Sequence, residues 1–129
     1  GLVAGGGGAI MLKHVQDCVM QSIHVDCTGS PVQMVGGVYV LQSDNVVIQG
    51  CTAGYTPGPY AAGFATSNLT NSIVHSNSII ARGNGYPIMA FGNANSLLLT
   101  SNVSQGTAIR KHINVNSDPG IVAEFNRWG

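Results

Sequence analysis

The chain carries five carboxylates, Asp17, Asp26, Asp44, Asp118 and Glu124, and their placement decides which acid–base chemistry it could run. Hydrolysis of a glycosidic bond needs two carboxyl groups flanking the scissile bond, roughly 5 to 9.5 Å apart according to stereochemical outcome. Asp118-Pro119-Gly120 reads as a turn, and Asp17 and Asp44 fall at or beside turns of the repeat described below. Glu124 alone is placed outward on a strand, with His75 the nearest outward polar group, two coils away. Lyase chemistry would need an Arg or Lys base. Arg110 and Lys111, followed by His112, form the one basic cluster, and a solvated strand edge accounts for them more simply. The catalytic candidates are therefore Glu124, His75, Arg110 and Lys111. His14 and His24 lack metal-ligand spacing with any carboxylate, and Cys18, Cys27 and Cys51 lack a CxxC pair, so neither a metal nor a cofactor is expected. The thiols read as buried core fillers.

Two segments suit binding better than catalysis. Residues 52–62 (TAGYTPGPYAA) and 82–87 (RGNGYP) mix tyrosines with Gly and Pro. Both leave the repeat at the same place, so they should lie side by side. A phenol ring with a hydroxyl handle suits the apolar face of a sugar, and functional side chains favour loops on a rigid scaffold. Tyr55, Tyr60, Tyr86 and Arg82 are the candidate ligand-binding set, although tyrosines that only pack their own loops would read the same way.

Composition narrows the partners. Only 8% of the 129 residues are charged and the formal net charge is zero, which argues that neighbours cover much of the surface. A phosphate-binding surface needs clustered cations, and the five Lys and Arg are dispersed, so nucleic acid is not expected. Apolar runs are far too short for a transmembrane helix. Residues 5–8, all Gly, lack the Lys-Ser/Thr that completes a phosphate loop. Asn68-Leu69-Thr70 and Asn102-Val103-Ser104 match the glycosylation acceptor pattern, which arises readily by chance in an Asn/Ser-rich chain.

What must position these residues is a repeat. A short phrase recurs: Asp17-Cys18-Val19-Met20, Asn45-Val46-Val47-Ile48, Asn71-Ser72-Ile73-Val74, Asn95-Ser96-Leu97-Leu98 and Gly120-Ile121-Val122-Ala123. Its anchors at 17, 45, 71, 95 and 120 are 28, 26, 24 and 25 residues apart. A period in the twenties with short period-2 apolar runs is the signature of a β-solenoid. A second run stands seven and five residues before each anchor: Ile10 and Leu12, Val38 and Val40, Phe64 and Thr66, Ile88 and Ala90. In the fifth coil Ile109 and Ile113 take that part, with the phase lost over 114–119.

The expectation is one all-β unit over 1–129, a parallel solenoid of about five coils of 24–28 residues, belonging to a larger chain because neither end supplies a polar cap. The anchors Asp17, Asn45, Asn71, Asn95 and Gly120 should be corner residues, since Asn, Asp and Gly tolerate left-handed backbone. The first and third residues after each anchor should point inward, as should Ile23 and Val25, Cys51 and Ala53, Asn77 and Ile79, and Ser101 and Val103 past the next bend. Buried Asn77 would need its amide satisfied by neighbouring backbone. The second residue after each anchor, Val19, Val47, Ile73, Leu97 and Val122, should face out. An apolar stripe there calls for a partner, and three such faces about a three-fold axis would bury it.

With phrases such as Asp44-Asn45-Val46-Val47-Ile48-Gln49-Gly50-Cys51 and Thr70-Asn71-Ser72-Ile73-Val74-His75-Ser76-Asn77, the chain resembles the right-handed parallel β-helix of the pectate-lyase-like superfamily over residues 9–125. Low charge, uncapped ends and the outward stripe look most like its bacteriophage tailspike and appendage branch. That resemblance implies a right-handed coil, a homotrimer at a virion surface or outside the cell, and binding of a host cell-surface polysaccharide. Two alternatives go with it: a polysaccharide lyase or glycoside hydrolase whose catalytic groups are shared between subunits or lie outside this segment, and a structural spacer.

Overall fold

A computed structural model describes residues 10–27, 36–55, 62–83, 86–91, 95–108, 114–115 and 120–128. Among them the chain is all strand, and the strands recur in threes. The first members, β1 (Ile10–Lys13), β4 (Gly36–Leu41), β7 (Ala62–Ser67), β10 (Tyr86–Phe91) and β13 (Asn114–Val115), pair in that order in a five-stranded sheet. The second members, β2 (Gln16–Gln21), β5 (Asp44–Gln49), β8 (Thr70–His75), β11 (Asn95–Thr100) and β14 (Ile121–Glu124), form a second sheet. The third, β3 (His24–Cys27), β6 (Thr52–Tyr55), β9 (Ser78–Gly83), β12 (Val103–Ala108) and β15 (Arg127–Trp128), form another. Every pairing is parallel, and each strand meets its counterpart one triplet on. The arrangement is compatible with a parallel β-helix or solenoid.

In the first sheet the register follows the seven-and-five rule. Ile10 pairs with Val38, Val38 with Phe64 and Phe64 with Ile88, while Leu12, Val40, Thr66 and Ala90 make the adjoining column. Both columns are buried from β4 to β10, and Ile10 and Leu12 are half-buried at the edge of the sheet. Stacking like on like fills the interior because the same inward positions return one strand spacing, roughly 4.8 Å, along the stack. Thr66 Oγ1 is the one buried side-chain oxygen or nitrogen among the described residues without a hydrogen-bond partner. Thr66→Val keeps the shape and removes that atom, so it should stabilise the fold by about 1 kcal/mol, read as a raised urea midpoint.

The second sheet departs from the expected phase at its fourth strand. Leu97 pairs with Ser72 and Leu99 with Val74, so the inward residues of β11 are Leu97 and Leu99, not Ser96 and Leu98. Three residues, 92–94, separate β10 from β11, where two, 68–69, separate β7 from β8. One extra residue flips every side chain that follows to the opposite face. The same slip carries into the third sheet, where Asn102 and Ser104 are buried in place of Ser101 and Val103. Two further expectations change. Residues 114–115 form a strand, with Val115 opposite Ala90, where the phase was expected to be lost. Ile23, at the outer edge of the first triplet, is 37% exposed.

Left-handed backbone marks the corners, in a pattern richer than one residue per repeat. Asp17, Asn45, Asn71 and Ser96 have φ between 50° and 63°, one residue inside their strands, and Ser96 takes the place expected of Asn95. His14, Gln42 and Asn68 do the same between the first and second sheets. Ser22, Gly50, Ser76, Ser101 and Phe125 do so between the second and third. After several of these residues the next amide turns off the sheet ladder. A buried polar side chain one triplet on receives several of these amides: Val15 N donates to Ser43 Oγ (3.1 Å), Val46 N to Ser72 Oγ (3.0 Å) and Cys51 N to Asn77 Oδ1 (2.9 Å). That is why this core contains serine and asparagine at all.

The turns differ in how much they vary. The second-to-third corners are always two residues, 22–23, 50–51, 76–77, 101–102 and 125–126. The segments joining the third sheet to the first, 28–35, 56–61, 84–85 and 109–113, range from eight residues to two.

Candidate functional site

Three outward features of the stack can carry chemistry. The first is the apolar column on the second sheet. Val19, Val47, Ile73, Leu98 and Val122 stand in register. Val19 is 59% exposed, Ile73 37% and Val122 47%, while Val47 and Leu98 are half-buried. Leu97, expected in this column, is instead buried in the core, and Leu98 replaces it because of the extra residue at 92–94.

The second feature flanks that column. Gln21, Gln49, His75, Thr100 and Glu124 align along the second sheet. Gln49 Nε2 donates to Gln21 Oε1 at 2.8 Å, which leaves Gln49 Oε1 to accept from His75 Nε2 at 2.9 Å. Neutral His75 then carries its proton on Nε2, and its Nδ1 accepts from the Ser76 hydroxyl at 3.0 Å. Both imidazole nitrogens are thus engaged in structure. Glu124 is exposed and lies two strand spacings, roughly 10 Å, from His75. Among the described residues no second carboxylate joins it in this column.

The third feature is an open groove of about 340 Å³ where the first sheet turns into the second, lined by His14, Val15, Gln16, Gln42, Ser43, Asp44, Asn68 and Thr70. Its floor is tied down. The Ser43 hydroxyl donates to Leu41 O (2.8 Å) while accepting from Val15 N, and Thr70 N donates to Ser43 O (3.0 Å). Asp44 Oδ1 accepts from Thr70 Oγ1 at 2.6 Å and from Asn71 Nδ2 at 3.1 Å. These donors hold the Asp44 carboxyl below its ordinary value, Thr70 first and Asn71 second. Since the folded value is the lower one, whatever stability this carboxylate contributes is present above the unfolded value and is lost as pH falls through the folded one.

Of the tyrosine candidates, Tyr86 alone is described with its side chain. Tyr86 opens β10, half-buried and opposite Ala62. Tyr55 ends β6 opposite Ala81, beside Arg82 in β9, so the backbone brings these positions to the same end of the third sheet. The side chains of Tyr55 and Arg82 lie outside the described residues, as do Tyr60, Arg110 and Lys111 entirely. Among the described residues no cluster of His, Cys, Asp or Glu could hold a metal ion, and no helix is long and apolar enough to cross a membrane.

The groove was not legible as a site, yet it had a signal. A polar residue stands three places before the first three anchors (His14, Gln42, Asn68), and another stands one place before (Gln16, Asp44, Thr70). No family model matches the chain, and neither the curated proteins nor the solved structures yield a match.

Proposed function

We propose that this chain is a right-handed parallel β-helix of five coils that works as a homotrimer and binds a cell-surface polysaccharide, in the manner of a phage tailspike or appendage of the pectate-lyase-like kind, at a virion surface or outside the cell. The observation that carries the reading is the apolar column Val19, Val47, Ile73, Leu98 and Val122, continuous across all five triplets and partly open to solvent. A stripe of aliphatic side chains down one face of a chain with 8% charged residues is costly in water. Covering it against two copies recovers about 1 kcal/mol for each half-exposed aliphatic group. The flanking amides of Gln21 and Gln49, already bonded to one another, supply a polar rim. Binding, not catalysis, is favoured because His75 is bonded at both nitrogens and the nearest carboxylate in its column is two spacings away.

Light scattering on the chain tests the assembly. A mass three times that of the monomer is expected, and Ile73→Asp, which sets one carboxylate per copy against the shared axis, should give a monomer that keeps its β spectrum. A wild-type monomer at all concentrations would remove the interface and with it the trimer.

A further inference from the structure

We infer that the groove between the first and second sheets is a binding site for a neutral, hydroxyl-rich sugar, laid along the stack with the Asp44 carboxylate as its anchor; this rests on the glycan-binding reading above and gives it a location and a charge preference. The groove spans three triplets, so equivalent positions repeat roughly every 4.8 Å along it. Its outer side chains mix donors and acceptors: an imidazole (His14), amides (Gln16, Gln42, Asn68), a hydroxyl (Thr70) and a carboxylate (Asp44), with Val15 the one apolar member. A hydroxyl-rich ligand matches a polar lining of this kind, whereas an apolar one would displace its water without replacing the hydrogen bonds.

Asp44 sets the charge. A carboxylate offers about four acceptor positions, and Thr70, Asn71 and the Asn45 backbone engage at most three of them. An acceptor remains for a ligand hydroxyl. Among the described residues that line the groove there is no Lys or Arg, and Asp44 would repel a uronate or other acidic sugar. Gln42, another lining residue, holds a left-handed φ of 51°, a conformation that glycine adopts freely and a glutamine only at a cost.

The experiment titrates the full chain by calorimetry with neutral gluco-, manno- and galacto-oligosaccharides and, separately, with oligogalacturonate. At least one neutral series should bind and oligogalacturonate should not. Gln42→Gly should raise the melting temperature while weakening that binding about tenfold, a combination that a purely structural residue would not give. Asp44→Asn, checked for an intact β spectrum, should weaken it further. Neutral binding unchanged in both variants would overturn the groove and leave the glycan reading standing. Preference for oligogalacturonate would overturn the charge argument. Absence of binding to every sugar would bring down the glycan reading itself.

Discussion

Asn102→Leu should cost at least about 3 kcal/mol of folding free energy, seen as a fall in the urea midpoint with little change in slope. Asn102 is fully buried, and its side chain closes four hydrogen bonds. Oδ1 accepts from Asn77 N (3.2 Å) and Asn77 Nδ2 (3.0 Å), while Nδ2 donates to Val74 O (3.0 Å) and Asn126 Oδ1 (2.9 Å). Leucine matches the volume and satisfies none of them. The Asn77 amide and the Val74 carbonyl are then left without their partners in the interior, where each orphaned group costs about 1–3 kcal/mol. Asn102→Asp should fare no better, because a buried carboxylate can accept the Asn77 bonds but cannot donate to Val74 O. A loss below about 1 kcal/mol for the leucine variant would mean that the column does not hold the corner.

Phe64→Ala should destabilise by about 3–5 kcal/mol. Among the described residues Phe64 is the largest fully buried side chain, held between Val38 and Ile88 in the first sheet. Its surroundings are strands locked in register on both sides, so the hole has little room to collapse, which places the cost toward the upper end of the range. Gly63 beside it shows how close the packing is: a Cβ there would come within 2.7 Å of Ile79 Cγ2 and 3.1 Å of Pro87 O. Thermal or denaturant unfolding measures the loss, and a cost under about 1.5 kcal/mol would indicate an interior that repacks easily.

How far the sequence could be read depended on where a residue was inserted. The columns of Ile10, Val38, Phe64 and Ile88 and of their partners two places on were legible in full, because each run keeps its period-2 alternation and recurs every 24 to 28 residues. The second sheet was legible through Val74, and Asn77 was foreseen as a buried amide answered by backbone, as its bonds to Cys51 N and Ile48 O bear out. The fourth triplet was misread by one place because the extra residue at 92–94 falls between two runs that are both apolar. Leu97, Leu98 and Leu99 fit either phase by composition. Asn102 was missed for the same reason, and with it the column that joins Asn77 to Asn126. The groove escaped notice because its residues are polar and sit at turns, where polarity is ordinary. Only the way three successive corners stack gives them a common wall.

The contrast between the two kinds of turn bears on how such a molecule can change over generations. Where the asparagine column runs, a corner of two residues is obligatory, because a third would carry the amide out of reach of the triplet before it. Where the third sheet returns to the first, the chain already tolerates anything from two residues to eight. Insertions and deletions in those return segments leave every stacked column in phase, whereas the same edit at an asparagine corner would throw out all that follows. Sequence change should therefore cost least along one edge of the stack, where what is displayed can alter while the column that keeps the triplets in step stays fixed.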